Sequence, residues 1–429
     1  MTTLSIPPQI HELTDINFPS IDKLTLENGI NLNVLHREDL KVVKITIAMR
    51  GGTAEAVNPA IALLASALQL EGTSSMTGRE IADRLALTGA FTQCTSREHY
   101  RFLNCVCLYE RIVDVLPILA DVILNPVFPE EEFRAIQNRF ALQIRTQEQS
   151  VGYQAEILSS IMSFGPSHPY STILDHDAVR SVKVEDVRKF YERYNNPESM
   201  EVYFAGNFTK ETLIAFEKTL GKITKSESNP SIHNIRPWEP SSVPKEELYS
   251  MEGKLQSAIV ATIPLVNLNE EDFLKLRLSV VALGGYFGSR LQQNIREDKG
   301  WTYDISSNIR SFFKDKLFTI KTECANQYVE SVIREIGKEL EHLGECDVSE
   351  DELVRIRRTE TSTLAEIVST PFTTLDFFIN CRTQQLPDHY FGDRLRTALS
   401  ITPDDIRKMT CEYLTPDRLL IAVAGKPSN

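Results

Sequence analysis

EDVRKFYERYNNPESMEVYFAG, residues 185–206, returns near the end of the chain as DDIRKMTCEYLTPDRLLIAVAG, residues 404–425. The two segments align without a gap. Each opens with two acidic residues suited to a helix N-terminus, runs through a helix, turns at a proline and ends in an apolar strand and a glycine. Arg188 pairs with Arg407, Tyr194 with Tyr413, Pro197 with Pro416 and Gly206 with Gly425, all at one offset. A helix-turn-strand unit repeated in this way marks a tandem duplication. Pro129-Glu-Glu-Glu-Phe133 and the capping box Ser349-Glu-Asp-Glu352 open a further pair of helices at nearly the same offset. Between the copies, residues 226–245 are rich in Pro and Ser and lack hydrophobic periodicity, so they read as a linker. The expected domains are 1–225 and 246–429.

Within the first copy, Leu24 to Leu35 alternates around Asn28-Gly29, the dipeptide that best supplies the positive φ angles of a type I′ hairpin. A strand through Lys44–Met49 ends at Gly51-Gly52, and Asn58-Pro59 caps a helix through Ile61, Leu64 and Leu68. Thr77-Gly-Arg-Glu80 is a capping box opening a short helix that stops at Gly89. Strands, then helices, then a returning strand give an α+β class: two duplicated domains, each an antiparallel sheet with helices packed on one face.

Bulk properties remove several functions. With 46 Lys and Arg against 59 Asp and Glu the net charge is −13, which repels nucleic acid and anionic membrane surfaces. No stretch is long and apolar enough to span a bilayer, and the N-terminus lacks the basic and apolar regions of a secretory signal. The seven cysteines form an odd set without a CxxC pair, which fits a reduced, cytoplasmic chain. His168 and His176 flank a proline-containing loop that suits a solvated turn better than a metal site. Gly284, Gly285 and Gly288 lack the Lys-Ser/Thr that would make them a phosphate loop; close helix or backbone approach explains them.

Further stretches carry a family likeness. They are Gly51-Gly-Thr-Ala-Glu55, Gly72-Thr73 followed by Glu80–Leu85 and Thr88-Gly-Ala90, Leu124–Pro129, His168-Pro-Tyr170, Gly284–Leu291 and Ile295–Tyr303. In this order the sequence resembles the pitrilysin/insulinase family of zinc peptidases, the inverzincins, over essentially its whole length. In active members H-x-x-E-H on the first helix gives two zinc ligands and the general base, and a Glu on a later helix completes the site. Counted back from Gly72-Thr73, the first His falls at Leu63, the base at Ser66 and the second His at Ala67; the later Glu falls at Gln143. Leucine and alanine offer no lone pair, a neutral amide replaces a carboxylate, and Ser66 is no base for a zinc-bound water. The resemblance is therefore to the non-catalytic subunit, binding no cofactor and inactive alone, with zinc in a partner.

Arg296-Glu-Asp-Lys-Gly-Trp-Thr-Tyr303 looks like the family's R-x-x-x-x-x-x-Y element. The resemblance implies that Arg296 and Tyr303 face the zinc half-site of a catalytic partner and contact bound peptide, a role that suits a guanidinium and a phenol as preorganised donors. The plain alternative is a salt bridge from Arg296 to Glu297 and a packed tyrosine ring. The expected function is a metal-free subunit of a zinc metalloendopeptidase heterodimer whose partners are a homologous zinc-bearing subunit and extended peptides. The competing expectation is a peptide-binding or scaffold homodimer with no protease role; an adjacent gene carrying H-x-x-E-H separates the two.

Overall fold

The computed structural model describes residues 13–171, 174–224, 244–266, 268–313 and 315–426. The expected linker lies, apart from its last two residues, outside the described residues.

The first copy builds a six-stranded sheet from β1 (Asp22–Thr25), β2 (Asn31–His36), β3 (Val42–Arg50), β4 (Phe91–Ser96), β5 (Tyr100–Leu108) and β6 (Met200–Gly206), in the order β1-β2-β6-β3-β5-β4. The second builds a five-stranded sheet from β7 (Glu246–Ser250), β8 (Gln256–Leu265), β9 (Thr302–Phe312), β10 (Asp315–Ala325) and β11 (Leu420–Gly425), in the order β7-β11-β8-β10-β9. Antiparallel pairing dominates both. Each repeated unit, 185–206 and 404–425, returns its strand to the interior of a sheet, so β6 runs parallel to β2 and β11 parallel to β7. This parallel pair refines the expected antiparallel sheet.

The helices are α1 (Pro59–Leu68), α2 (Gly78–Leu87), α3 (Ile112–Leu124), α4 (Glu130–Gln147), α5 (Val151–Phe164), α6 (His176–Ser181), α7 (Val184–Tyr194) and α8 (Lys210–Lys218), then α9 (Glu270–Gly284), α10 (Val329–Glu345), α11 (Glu350–Ile367), α12 (Pro371–Thr383), α13 (Tyr390–Ser400) and α14 (Pro403–Tyr413). Asn58 caps α1 by accepting from the Ala60 N–H at 2.9 Å. Thr77 and Glu80 form the capping box of α2. Strand alternation sends Val43, Ile45, Ile47 and Met49 of β3 to one face, where α2, α3 and α8 cover them. In the second sheet Ile259, Ala261 and Ile263 of β8 meet α9, α10 and α14 in the same way.

The opposite face of each sheet is met by a helix from the other copy. Leu375, Phe378 and Ile379 of α12 pack on Ala48, Phe102, Tyr203 and Ala205 of the first sheet. Val151, Ala155 and Met162 of α5 pack on Ala258, Val260, Ala422 and Ala424 of the second. Ion pairs reinforce both contacts: Lys44 to Asp376 at 2.6 Å on α12, and Lys321 to Glu156 at 2.6 Å on α5.

The N-terminal hairpin departs from the expected type I′ turn. Gly29 has φ +92°, but Asn28 stays at negative φ, and the connection spans residues 26–30. The Asn28 amide instead donates to the Leu220 and Ile223 carbonyls at 2.9 and 3.0 Å, a tertiary use that fixes its backbone.

Candidate functional site

Helical spacing puts Leu63, Ser66 and Ala67 on one face of α1, three and four residues apart. Ser66 is buried, its hydroxyl 3.4 Å from the Thr95 carbonyl, while Leu63 and Ala67 are half-buried. Helix α4 packs on α1 through Ala141 and Ile144, and Gln143 lies on its exposed side. This donor set does not fit zinc: hydrocarbon stands at both positions where the resemblance implies imidazoles, and a hydroxyl bonded to a backbone carbonyl stands where it implies the base. The apolar neighbours Ala60, Leu64 and Leu68 fill the core beneath. Among the described residues, the grouping of His, Cys, Asp and Glu with ligand atoms close enough to share an ion is Glu270, His389 and Asp393, on α9 and at the start of α13.

Arg296 and Tyr303 are brought together. Gly284 ends α9 hard against β9: a Cβ there would lie 2.8 Å from the Ser307 nitrogen. The chain then re-enters a helix whose segment Gln292–Asp298 is π-helical, and Gly300, at φ +62°, reverses it into β9. The Arg296 guanidinium lies 4.9 Å from the Phe287 ring and 5.7 Å from the Tyr303 ring. It donates to the Gln292 amide oxygen at 3.3 Å and approaches Glu297 at 3.6 Å, so the plain alternative, an ion pair with Glu297, exists beside the aromatic contacts. Such a partly exposed pair stabilises by no more than about 1 kcal/mol and leaves the cation free to be recruited. Tyr303 is 89% exposed, so its ring is not a packing element. It stands at the lip of a cleft of about 420 Å³ lined by Asp304, Lys321 and Glu323 of the second sheet and by Gly152 and Glu156 of the exchanged helix α5.

A further residue fixes this element. Glu335 of α10 accepts from Asn294 and Lys299, both at 3.2 Å, and from Lys338 at 2.8 Å. Lys338 chiefly, with Asn294 and Lys299, holds the Glu335 carboxyl down to about 2. Asn294 and Lys299 bracket Arg296, so Glu335 pins the segment that presents it. Nothing local in sequence signals Glu335, which lies 41 residues beyond Asn294.

Residues 181–360 match the family model described as "Peptidase M16 inactive domain". An uncharacterised zinc protease of Streptomyces coelicolor is 24% identical over 362 residues, covering 81% of this chain and 76% of its own. A probable inactive metalloprotease of Bacillus subtilis is 21% identical over 309 residues, 68% of this chain and 69% of its own. Among solved structures, a peptidase M16 inactive domain from Pseudomonas fluorescens superposes with a TM-score of 0.85 at 17% identity, covering 95% of this chain and 98% of that one, a likeness of fold.

Proposed function

We propose that this chain, whose residues 181–360 match the peptidase M16 inactive-domain model and whose sequence resembles the pitrilysin/insulinase family, is the zinc-free, non-catalytic subunit of a peptidase heterodimer. A homologous subunit with an intact H-x-x-E-H supplies zinc and hydrolysis. This chain supplies Arg296 and Tyr303, which contact an extended peptide bound along a sheet edge of the partner. One observation carries the reading. At the positions that the resemblance assigns to the metal, the first copy has leucine, alanine and a neutral amide, while the second keeps an exposed tyrosine beside a guanidinium whose segment Glu335 holds through Asn294 and Lys299. A residue retained only for packing is buried; Tyr303 is not.

The test mixes this chain with its zinc-bearing homologue and follows cleavage of a fluorogenic peptide. Turnover is expected from the mixture and from neither component alone. Arg296→Ala and Tyr303→Ala are each expected to lower it by about tenfold or more, the loss of one charge-assisted donor. Unchanged turnover in both variants rejects the assigned role. Both should melt within about 1 °C of the parent, because surface changes of this kind cost at most about 0.5 kcal/mol.

A further inference from the structure

We infer that His99 is a proton-operated latch joining the two copies of the fold. The inference stands apart from the peptidase reading and rests on one buried chain of hydrogen bonds. His99, in the turn between β4 and β5, is 7% exposed. Its Nδ1 lies 2.8 Å from Oε1 of Glu55, which follows β3 and whose other oxygen accepts the Gly52 N–H at 2.9 Å. Its Nε2 lies 2.9 Å from the hydroxyl of Tyr170, which follows α5. That hydroxyl lies 3.5 Å from the Phe312 carbonyl at the end of β9, in the second copy. Phe313 stacks on the imidazole at 3.7 Å and 23°, at a φ of +55° that a non-glycine residue adopts only when its surroundings impose it.

The polarity of this chain depends on one proton. A carboxylate only accepts, so Nδ1 donates to Glu55 in either state of the ring. In the neutral ring Nε2 is then an acceptor and takes the Tyr170 hydroxyl hydrogen, leaving none for Phe312. In the imidazolium Nε2 donates to the Tyr170 oxygen, and the hydroxyl hydrogen turns to the Phe312 carbonyl. The chain Glu55, His99, Tyr170, Phe312 is then donor-to-acceptor throughout and crosses from one copy to the other. Burial, with the charges of Asp315, Glu55 and Glu98, pushes the Tyr170 hydroxyl up, so it keeps its single hydrogen in both states. The cation also gains the Phe313 face. Surrounding charges are Glu98, paired with Arg310 of β9 at 3.4 Å across the copies, and Asp315 beside Tyr170. The His168 ring stands 4.9 Å from Tyr170, and Tyr100 and Tyr194 flank Glu55. Uptake of a proton by the ring therefore closes the latch, and its release opens it.

Hydrogen exchange read by mass spectrometry over residues 302–325 tests this on the full chain at pH 5.5 and pH 8, after correction for intrinsic exchange rates. Protection of the β9–β10 pair is expected to rise about fivefold at the lower pH, the worth of one hydrogen bond. Tyr170→Phe keeps the ring contacts and removes the hydroxyl, and it should abolish that rise while far-UV circular dichroism stays unchanged. His99→Phe should do the same and gives a second, independent reading. Parental protection that ignores pH, or a rise that survives in Tyr170→Phe, overturns the latch.

Discussion

Glu335→Gln is the perturbation whose size follows most directly from the structure. The substitution keeps the shape of the side chain and removes the charge that gathers Lys338, Asn294 and Lys299. A carboxyl held from 4.5 down to about 2 favours the folded chain by roughly 3 kcal/mol before screening. Lys338 is 59% exposed and Lys299 30%, so water screens two of the three arms, and about 1–2 kcal/mol is expected to survive. The folded carboxylate titrates below its unfolded value, so its stabilisation is complete above about pH 4.5 and lost as pH falls towards 2. Thermal melts followed by circular dichroism should place Glu335→Gln about 2–4 °C below the parent at pH 7. The gap should shrink to less than half that at pH 3, where the parental carboxyl begins to take up the proton that makes it resemble the amide. An equal gap at both pH values, or none at pH 7, refutes the assignment of Glu335 as an ionised anchor.

The exchanged helices predict that Leu375→Ala, fully buried on the first sheet although it belongs to the second copy, costs about 2–5 kcal/mol in urea unfolding; a loss below about 1 kcal/mol would mean that α12 does not seat there. The mapping of the metal positions predicts that Leu63→His and Ala67→His, one turn apart on α1, together raise zinc affinity, read as metal retained after gel filtration. Should the double variant retain no more zinc than the parent, the positions have been misassigned.

Much of the fold was legible because local chemistry fixes it. The offset between Arg188 and Arg407 reveals the duplication, and Asn58-Pro59 and Thr77 with Glu80 start their helices where they predict. What was hidden depends on distant parts of the chain. The apolar face of α5 declares that it must be covered, but not that the sheet covering it belongs to the other copy. Asn28 gives up the type I′ geometry for carbonyls nearly two hundred residues away. At the site, the family resemblance pairs Arg296 with Tyr303, and a helix and a glycine reversal bring their side chains together. Glu335 could not, because a carboxylate on a charged helix face looks like any solvated one until the fold sets it against Asn294 and Lys299. Gln143 shows the limit of counting along a helix: the count places it on α4 but does not say whether its side chain turns inward, and it lies on the exposed side.

The central claim is that the first copy has lost the means to hold a catalytic metal. It is tested most directly by the zinc content of the purified chain carrying His389→Ala, which disables the surface grouping with Glu270 and Asp393, after dialysis against micromolar zinc. The expected result is no stoichiometric zinc. One zinc per chain, removable by chelator together with a peptide-cleaving activity, would contradict the claim.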